Sequence, residues 1–150
     1  MAFISVTRLR LRSARFLPAF ALRNLRVLAQ ARAAPGFRGG ALLADRAFAF
    51  WTLTAWDDEG SMRAYASTGT HRAAMPRFAD WCDEGSVAGW EQGGAALPSW
   101  AEADRRMREG GRPSKLRRPS PHHADLSFPP ARTSLTGPLR PAAARSRRRP

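Results

Sequence analysis

Residues 47–82 read AFAFWTLTAWDDEGSMRAYASTGTHRAAMPRFADWC, and this stretch determines the fold class. Its first ten residues are aromatic, β-branched or small, and both sets of alternate positions are mostly apolar. A strand of this kind is buried on both faces and central in its sheet. Because Trp51 and Trp56 have opposite parity, we expect their side chains on opposite faces of that sheet.

Two helical segments follow this strand. Asp57 or Asp58 caps the first, and Gly69 ends it. In the second, apolar residues and one histidine recur with a spacing of three or four, at His71, Met75, Phe78 and Cys82. Pro76 either kinks this second helix or begins its regular part.

The flanking sequence completes a pattern of alternating strands and helices. Apolar residues recur with the spacing of a strand or of a helix, and Gly, Pro and capping residues separate the segments. The predicted elements are strand 2–12, helix 14–33, strand 36–46, strand 47–56, a helix pair reaching 82, strand 86–92 and a last helix from 100. Ser99-x-x-Glu102 is a capping box for this last helix. The order predicts an α+β, ferredoxin-like βαββαβ fold with one extra C-terminal helix.

Charge divides the chain into two parts. Residues 1–110 carry 15 Arg and 11 acidic residues, a net charge of +4, whereas residues 111–150 carry ten basic residues against Asp125 alone, a net charge of +9. The second part is rich in Pro, Arg, Ser and Ala without a period, so we expect a folded domain at 1–110 and a mostly disordered tail at 111–150. Most of the basicity lies in this tail, which argues against a specific nucleic-acid site.

Other classes of protein are disfavoured by simple counts. One cysteine, Cys82, excludes an intrachain disulfide and a CxxC zinc knuckle, and it is expected to be a buried apolar residue. No run of 18 apolar residues exists, so membrane insertion is not expected. The arginine-rich residues 1–44 mimic a transit peptide, but they read better as strand and helix, which favours a cytoplasmic protein.

A four-stranded sheet with helices on one face leaves its other face bare. Here the third strand places large apolar residues on both faces, and a monomer rarely exposes such a patch. The pattern therefore predicts a face-to-face homodimer.

The stretch 35–92 resembles the antibiotic-biosynthesis-monooxygenase-like, dimeric α/β-barrel superfamily, and most closely its group related to spheroidene monooxygenase (domain of unknown function 3291). The similar features are the PGF entry to the second strand, FWTLTAWDD, the G-x-H-R step, MPRFADWCDE, and further on LPSWAEADRRMREGGRPS. The similarity covers about residues 1–120. The resemblance implies a dimeric α/β barrel. Members of the superfamily include cofactor-free oxygenases of polycyclic aromatics, haem-dependent proteins, and proteins with no known reaction.

His71 is the only histidine outside the predicted tail, and two interpretations stay open. On the first, it lies at the mouth of a cavity between sheet and helices, as a general base or an axial haem ligand. On the second, it forms a hydrogen bond at a helix start beside the core. Arg72 is the candidate partner for a substrate anion; the row Arg8, Arg10 and Arg12 is an alternative, unless these arginines pair with acids or water.

Five residues have two interpretations, a flat aromatic pocket for a hydrophobic small molecule or a part of the core: Trp51, Trp56, Met75, Phe78 and Trp81. The first hypothesis is a monooxygenase-like protein that acts without cofactor on a polycyclic or polyene substrate. The second is a haem-binding oxygenase with His71 as ligand. The third is a non-catalytic small-molecule-binding or accessory dimer. No metal site is expected, because His122, His123 and Asp125 resemble one only by composition.

Overall fold

A computed structural model describes residues 1–131 and 133–142, with the backbone alone at 133 and 134. The elements are β1 Ala2–Leu11, α1 Leu17–Ala33, β2 Phe37–Asp45, β3 Ala49–Trp56, α2 Glu59–Ala66, α3 Gly69–Trp81, β4 Cys82–Gln92, α4 Trp100–Gly110, β5 Arg112–Pro113 and β6 Thr133–Leu139. No helix in this part of the chain is long and apolar enough to cross a bilayer.

The strands form one antiparallel sheet in the order β5-β4-β1-β3-β2-β6. Its four central strands have the order of the ferredoxin-like fold, which confirms the predicted fold class. β1 pairs with β3 from Phe3 opposite Trp56 to Arg10 opposite Ala49. β3, expected to be central, lies between β1 and β2.

β4 begins at Cys82, four residues before the predicted start at 86. The strand predicted from the sequence left out Asp83 and Glu84, which is incorrect. In the sheet they lie beside β1, where Arg10 is the partner of Glu84 in the register. Ion pairs with Arg8 and Arg10 offset the low strand preference of the two acids.

Helices α1, α2 and α3 cover one face of the sheet. Trp56 is fully buried on this side, stacked on Tyr65 at 5.1 Å between ring centroids and in edge contact with Phe37. Asp58 caps α2 by accepting a hydrogen bond from the Ser61 N–H. Pro76 lies inside α3, not at its start.

The opposite face of the sheet, which was expected to be bare, is covered by the chain itself. Trp51 is buried there, as its parity predicted, and its ring meets that of Phe128 edge-on at 5.9 Å. Ala103 and Met107 of α4 complete the apolar layer together with Leu126. The exposed patch from which a face-to-face homodimer was predicted is therefore absent.

Residues 111–131 and 133–142 also differ from the expected disordered tail. The Ser114 and Ser120 N–H groups donate to the carbonyls of Gly85 and Asp83, each at 2.7 Å, so the segment follows β4. Burial of Leu126 and Phe128 offsets the entropy of ordering it. β6 satisfies the outer hydrogen-bonding edge of β2, which would otherwise be unpaired. Residues 143–150, which include SRRRP, lie outside the described residues.

Candidate functional site

A cavity of about 1000 Å³ lies between the helices and the sheet. Its floor is formed by β1, β3 and β4, and its walls by α1, α2 and α3. The apolar part of the wall comes from five side chains: Val27, Leu28, Met62, Met75 and Phe78. Concave sites with a mostly apolar lining and few polar groups are typical of small-molecule binding.

His71 lines this cavity at the start of α3. Its Nδ1 lies 2.8 Å from the carbonyl oxygen of Ala66, and its backbone N–H donates to Gln30 Oε1 at 2.8 Å. A carbonyl oxygen only accepts, so Nδ1 carries the hydrogen and Nε2 of the neutral ring keeps its lone pair. The α2–α3 turn and α1 thus fix both the position and the tautomer of this side chain.

The surroundings of His71 favour its neutral form. Burial lowers the pKa of His71 below its ordinary value, opposed by the hydrogen bond to Ala66. The ring meets Tyr65 edge-on at 4.8 Å between centroids. Burial also raises the pKa of Tyr65, so that its phenol stays protonated. At neutral pH the cavity therefore presents an uncharged imidazole that can accept a proton.

The floor of the cavity carries four hydroxyl groups beside apolar residues, and Glu91 of β4 lies on the same face. Ser5 is opposite Thr54, and Thr7 is opposite Thr52, across the β1–β3 pair. Thr54 Oγ1 accepts a hydrogen bond from Trp56 Nε1 at 2.9 Å. Among the described residues, the side-chain hydroxyls of Ser5, Thr7 and Thr52 make no hydrogen bond with protein groups, so they are available to a ligand or to water.

The structure brings together only three of the predicted site residues. His71, Met75 and Phe78 line the cavity. Arg72 is exposed and does not line it, because the next position on a helix is rotated by about 100°. The structure therefore does not place Arg72 in contact with this cavity.

The three tryptophans predicted to form the pocket also lie elsewhere. Trp51 is on the opposite face of the sheet, and Trp56 is core beneath Tyr65. Trp81 is half-buried, stacked against Phe16 at 6.2 Å between centroids. Their aromatic character reflects core packing and not a binding surface.

Sequence reasoning missed Tyr65 as the partner of His71, and it missed the hydroxyl floor. A signal for the floor was present: Ser5 and Thr7 share the parity of Phe3 and Leu9 in β1. Hydroxyl residues at consecutive inward positions of two neighbouring strands are unusual for a core and indicate a polar ligand or water.

Two other groups with possible chemistry are structural. Burial raises the pKa of the Cys82 thiol to about 12, so it is not a nucleophile at neutral pH. His123 is buried, with Nδ1 accepting from the Gly85 N–H at 3.3 Å and Nε2 lying 2.8 Å from the Ser114 carbonyl oxygen. Among the described residues, no group of three His, Cys, Asp or Glu side chains could hold a metal ion.

Comparison by sequence finds no matching family model and no matching curated protein. Comparison by structure finds several similar proteins. SnoaB, a cofactor-independent oxygenase from Streptomyces nogalater, superposes with a TM-score of 0.53 and 17% identity over 65% of this chain and 98% of its own.

Two further structures give the same result. A putative antibiotic biosynthesis monooxygenase from Nitrosomonas europaea has a TM-score of 0.53 and 18% identity, over 62% of this chain and 89% of its own. Rv0793 from Mycobacterium tuberculosis has a TM-score of 0.57 and 10% identity, over 64% and 99%. The chain thus has the fold of the antibiotic-biosynthesis-monooxygenase structures, and more than a third of it lies outside each of these matches.

Proposed function

We propose that this chain is a monooxygenase-like protein that binds a hydrophobic polycyclic small molecule in the cavity between helices and sheet and acts on it without a resident cofactor. The observation that carries the proposal is His71, held as a neutral base with Nε2 free in a cavity of about 1000 Å³. The fold shared with SnoaB, a cofactor-independent oxygenase, supports it.

The cavity favours one of the two substrate types considered. A polyene hydrocarbon would leave the hydroxyls of Ser5, Thr7 and Thr52 without partners, at a cost of about 1–3 kcal/mol for each buried group. A polycyclic aromatic bearing hydroxyl or keto groups would satisfy them while its ring system packs on Met75 and Phe78. We therefore propose an oxygen-bearing aromatic substrate.

The chemistry requires little from the protein beyond proton transfer and positioning. His71 Nε2 removes an acidic proton from the substrate, and the resulting anion is electron-rich enough to reduce oxygen. When a CH₂ group becomes a carbonyl, one atom of O₂ enters the substrate and the other leaves with the two hydrogens as water. The substrate supplies all the electrons, so no external reductant is needed. The floor hydroxyls donate to the substrate oxygen on which negative charge develops.

Oxygen uptake with an anthrone tests the proposal. His71→Gln removes the base, and we expect a loss of rate on the order of 10²–10⁴-fold. Arg72→Gln is the matched control, because it changes the neighbouring residue outside the cavity, and it should keep the wild-type rate. Thermal melts verify that both variants fold. Equal rates in wild type and His71→Gln would overturn the role of His71.

A haem-binding oxygenase is the second candidate, and one specific observation favours it. An imidazole that donates through Nδ1 to a carbonyl, with Nε2 free, is the arrangement typical of a histidine that would bind a metal. Among the cavity residues, His71 would hold the iron, and Arg112, together with Arg63 if it exchanged its ion pair with Glu59, would pair with the haem carboxylates. Bound haem would supply redox-active iron. The sequence motifs that resemble the spheroidene-monooxygenase group support the same candidate.

Absorption spectroscopy separates these candidates. A Soret band after addition of haemin that is lost in His71→Gln and kept in Arg72→Gln supports the haem candidate. If the wild-type protein shows no Soret band, the haem candidate is excluded. If neither oxygen uptake nor a Soret band is observed, saturable binding of an anthrone would leave the non-catalytic binding or accessory role.

We keep the homodimer expected from the sequence as a proposal, but the sheet face that was expected to form its interface is not exposed. The face that bears Trp51 is covered by α4 and residues 111–131, so a face-to-face pair requires displacement of this segment. Light scattering on the full chain of 16.5 kDa and on a chain ending at Gly111 tests it. A dimer mass for either supports pairing, and monomer masses for both contradict it.

A further inference from the structure

A second cleft, of about 630 Å³, lies on the opposite face of the sheet from His71. Residues 118–122 and 129–130 form one wall, and the end of β1 and the start of β4 form the other. Four prolines contribute apolar surface, at positions Pro119, Pro121, Pro129 and Pro130. The charged lining consists of four arginines and three acids: Arg8, Arg10, Arg12, Arg118, Asp45, Asp83 and Glu84.

The acidic side chains of the cleft already form ion pairs or hydrogen bonds with other residues of the protein. Glu84 Oε2 accepts from Arg8 Nη1 at 2.6 Å, while Oε1 accepts from Ser120 Oγ at 2.8 Å. Asp83 Oδ2 accepts from Arg10 Nη1 at 3.2 Å. Asp45 also has interaction partners in the fold. Arg8 and Arg10 thus offset two of the three negative charges of the cleft, and Asp83 Oδ1 is buried without a hydrogen-bond partner among the described residues.

Two guanidinium groups in the same lining have no carboxylate partner among residues 1–131 and 133–142. Arg12 donates through Nε to the Asp80 carbonyl at 2.8 Å and lies over the Phe16 ring at 4.4 Å, which fixes its plane while leaving both Nη groups unused. Arg118 is exposed and makes no hydrogen bond or ion pair within that part of the chain. The fixed guanidinium of Arg12, beside apolar walls, suits bidentate binding of an oxyanion, and the exposed Arg118 side chain can add a second cationic contact.

We propose that this cleft is a binding site for a small molecule bearing phosphate or carboxylate groups, held by Arg12 and Arg118. The volume exceeds that of a single inorganic ion, so the ligand extends along the proline-lined wall. The site is separate from the His71 cavity and does not depend on the reaction proposed there.

Isothermal titration of the full chain with pyrophosphate and with citrate tests this site, and the two probes distinguish phosphate from carboxylate. Titrations are run at constant ionic strength, because a chain with a net charge of +13 attracts anions without a specific site. We expect saturable one-to-one binding of at least one probe. Arg118→Gln should weaken it by about tenfold, as expected for the loss of one charge-assisted contact.

Matched controls separate the cleft from general charge. Arg12→Gln should weaken binding by a similar factor, and Arg12→Gln with Arg118→Gln should abolish it. The pair Arg23→Gln and Arg26→Gln removes the same charge from α1, outside the cleft, and should leave the affinity unchanged. An equal loss in the α1 pair, or no saturable binding of either probe, overturns the proposal. Because Arg118 has no protein partner, its variant tests the site without threatening the fold.

Discussion

His71 shows how a single hydrogen bond determines what a side chain can do. The Ala66 carbonyl fixes the hydrogen on Nδ1, and burial keeps the ring neutral. The sequence predicted His71 as the site to test, because it is the only histidine before residue 122. It could not predict the tautomer, which depends on the turn between α2 and α3 placing Ala66 against the ring.

The pH dependence of the reaction follows from the lowered pKa of His71. A base whose folded pKa lies below the ordinary value of about 6.5 stays unprotonated throughout the neutral range. We therefore expect the rate of oxygen uptake to decrease as the pH falls through the lowered pKa, with the midpoint of this decrease below pH 6.5. A rate that already falls between pH 8 and pH 7 would contradict this assignment.

The Arg8–Glu84 pair predicts a large cost when one partner is removed. Both side chains are at least 95% buried, and Arg8 also lies over the Phe128 ring at 3.9 Å. Glu84→Gln leaves a buried guanidinium without its counter-charge, so the free energy of unfolding should fall by about 3–5 kcal/mol in urea titrations. Glu59→Gln, which breaks an exposed pair with Arg63, is the control and should cost about 1 kcal/mol or less. Similar costs for the two variants would show that Arg8 is hydrated.

At the scale of elements, the sequence predicted correctly those strands and helices whose stabilising interactions are marked by a local pattern. Alternation predicted β1 and β3, and the capping box predicted α4, whose Ser99 Oγ accepts from the Glu102 N–H at 3.1 Å. β4 was predicted four residues too short, because its first acids are stabilised by arginines 73 or more positions away. Such pairing has no local signature.

β2 contains a glycine that its neighbour requires. A Cβ at Gly40 would lie 2.5 Å from the carbonyl oxygen of Leu53 on β3. Gly40→Ala should therefore separate two paired strands and lower the free energy of unfolding by about 1–3 kcal/mol in a denaturant titration. Gly93→Ala, where a Cβ meets nothing within 4 Å, should change stability by no more than about 0.5 kcal/mol. A neutral Gly40→Ala would show that β2 and β3 separate without cost.

At the scale of the whole molecule, the main difference from expectation is the C-terminal segment. Its apolar residues, Leu116, Leu126 and Phe128, follow no period, so nothing local distinguished them from a solvated tail. Leu126 and Phe128 pack on the sheet face opposite the helices, whereas Leu116 packs against the apolar cluster beneath α1 and α3. The same segment forms a wall of the arginine-lined cleft, which therefore exists only in the complete fold.

Deletion of residues 126–150 tests this role. The sequence alone predicted that the deletion leaves folding intact. The structure predicts the reverse, since Leu126, Phe128 and Leu139 are buried and each contributes about 1.5–3 kcal/mol. We expect a lower melting temperature and increased binding of a hydrophobic dye to the uncovered face. An unchanged melt would contradict packing of the segment on the sheet, and deletion of 143–150 alone is the control for loss of tail charge.

The two outer strands of the sheet have a consequence for the behaviour of the chain at high concentration. β5 ends in Pro113 and β6 contains Pro138, so the amide hydrogen is missing at one position on each outer strand. Each proline removes a donor from its strand, which disfavours a regular ladder with a strand from another molecule at β5 and β6. The sheet should therefore resist growth into fibrils, even though its interior strands are among the most apolar in the chain.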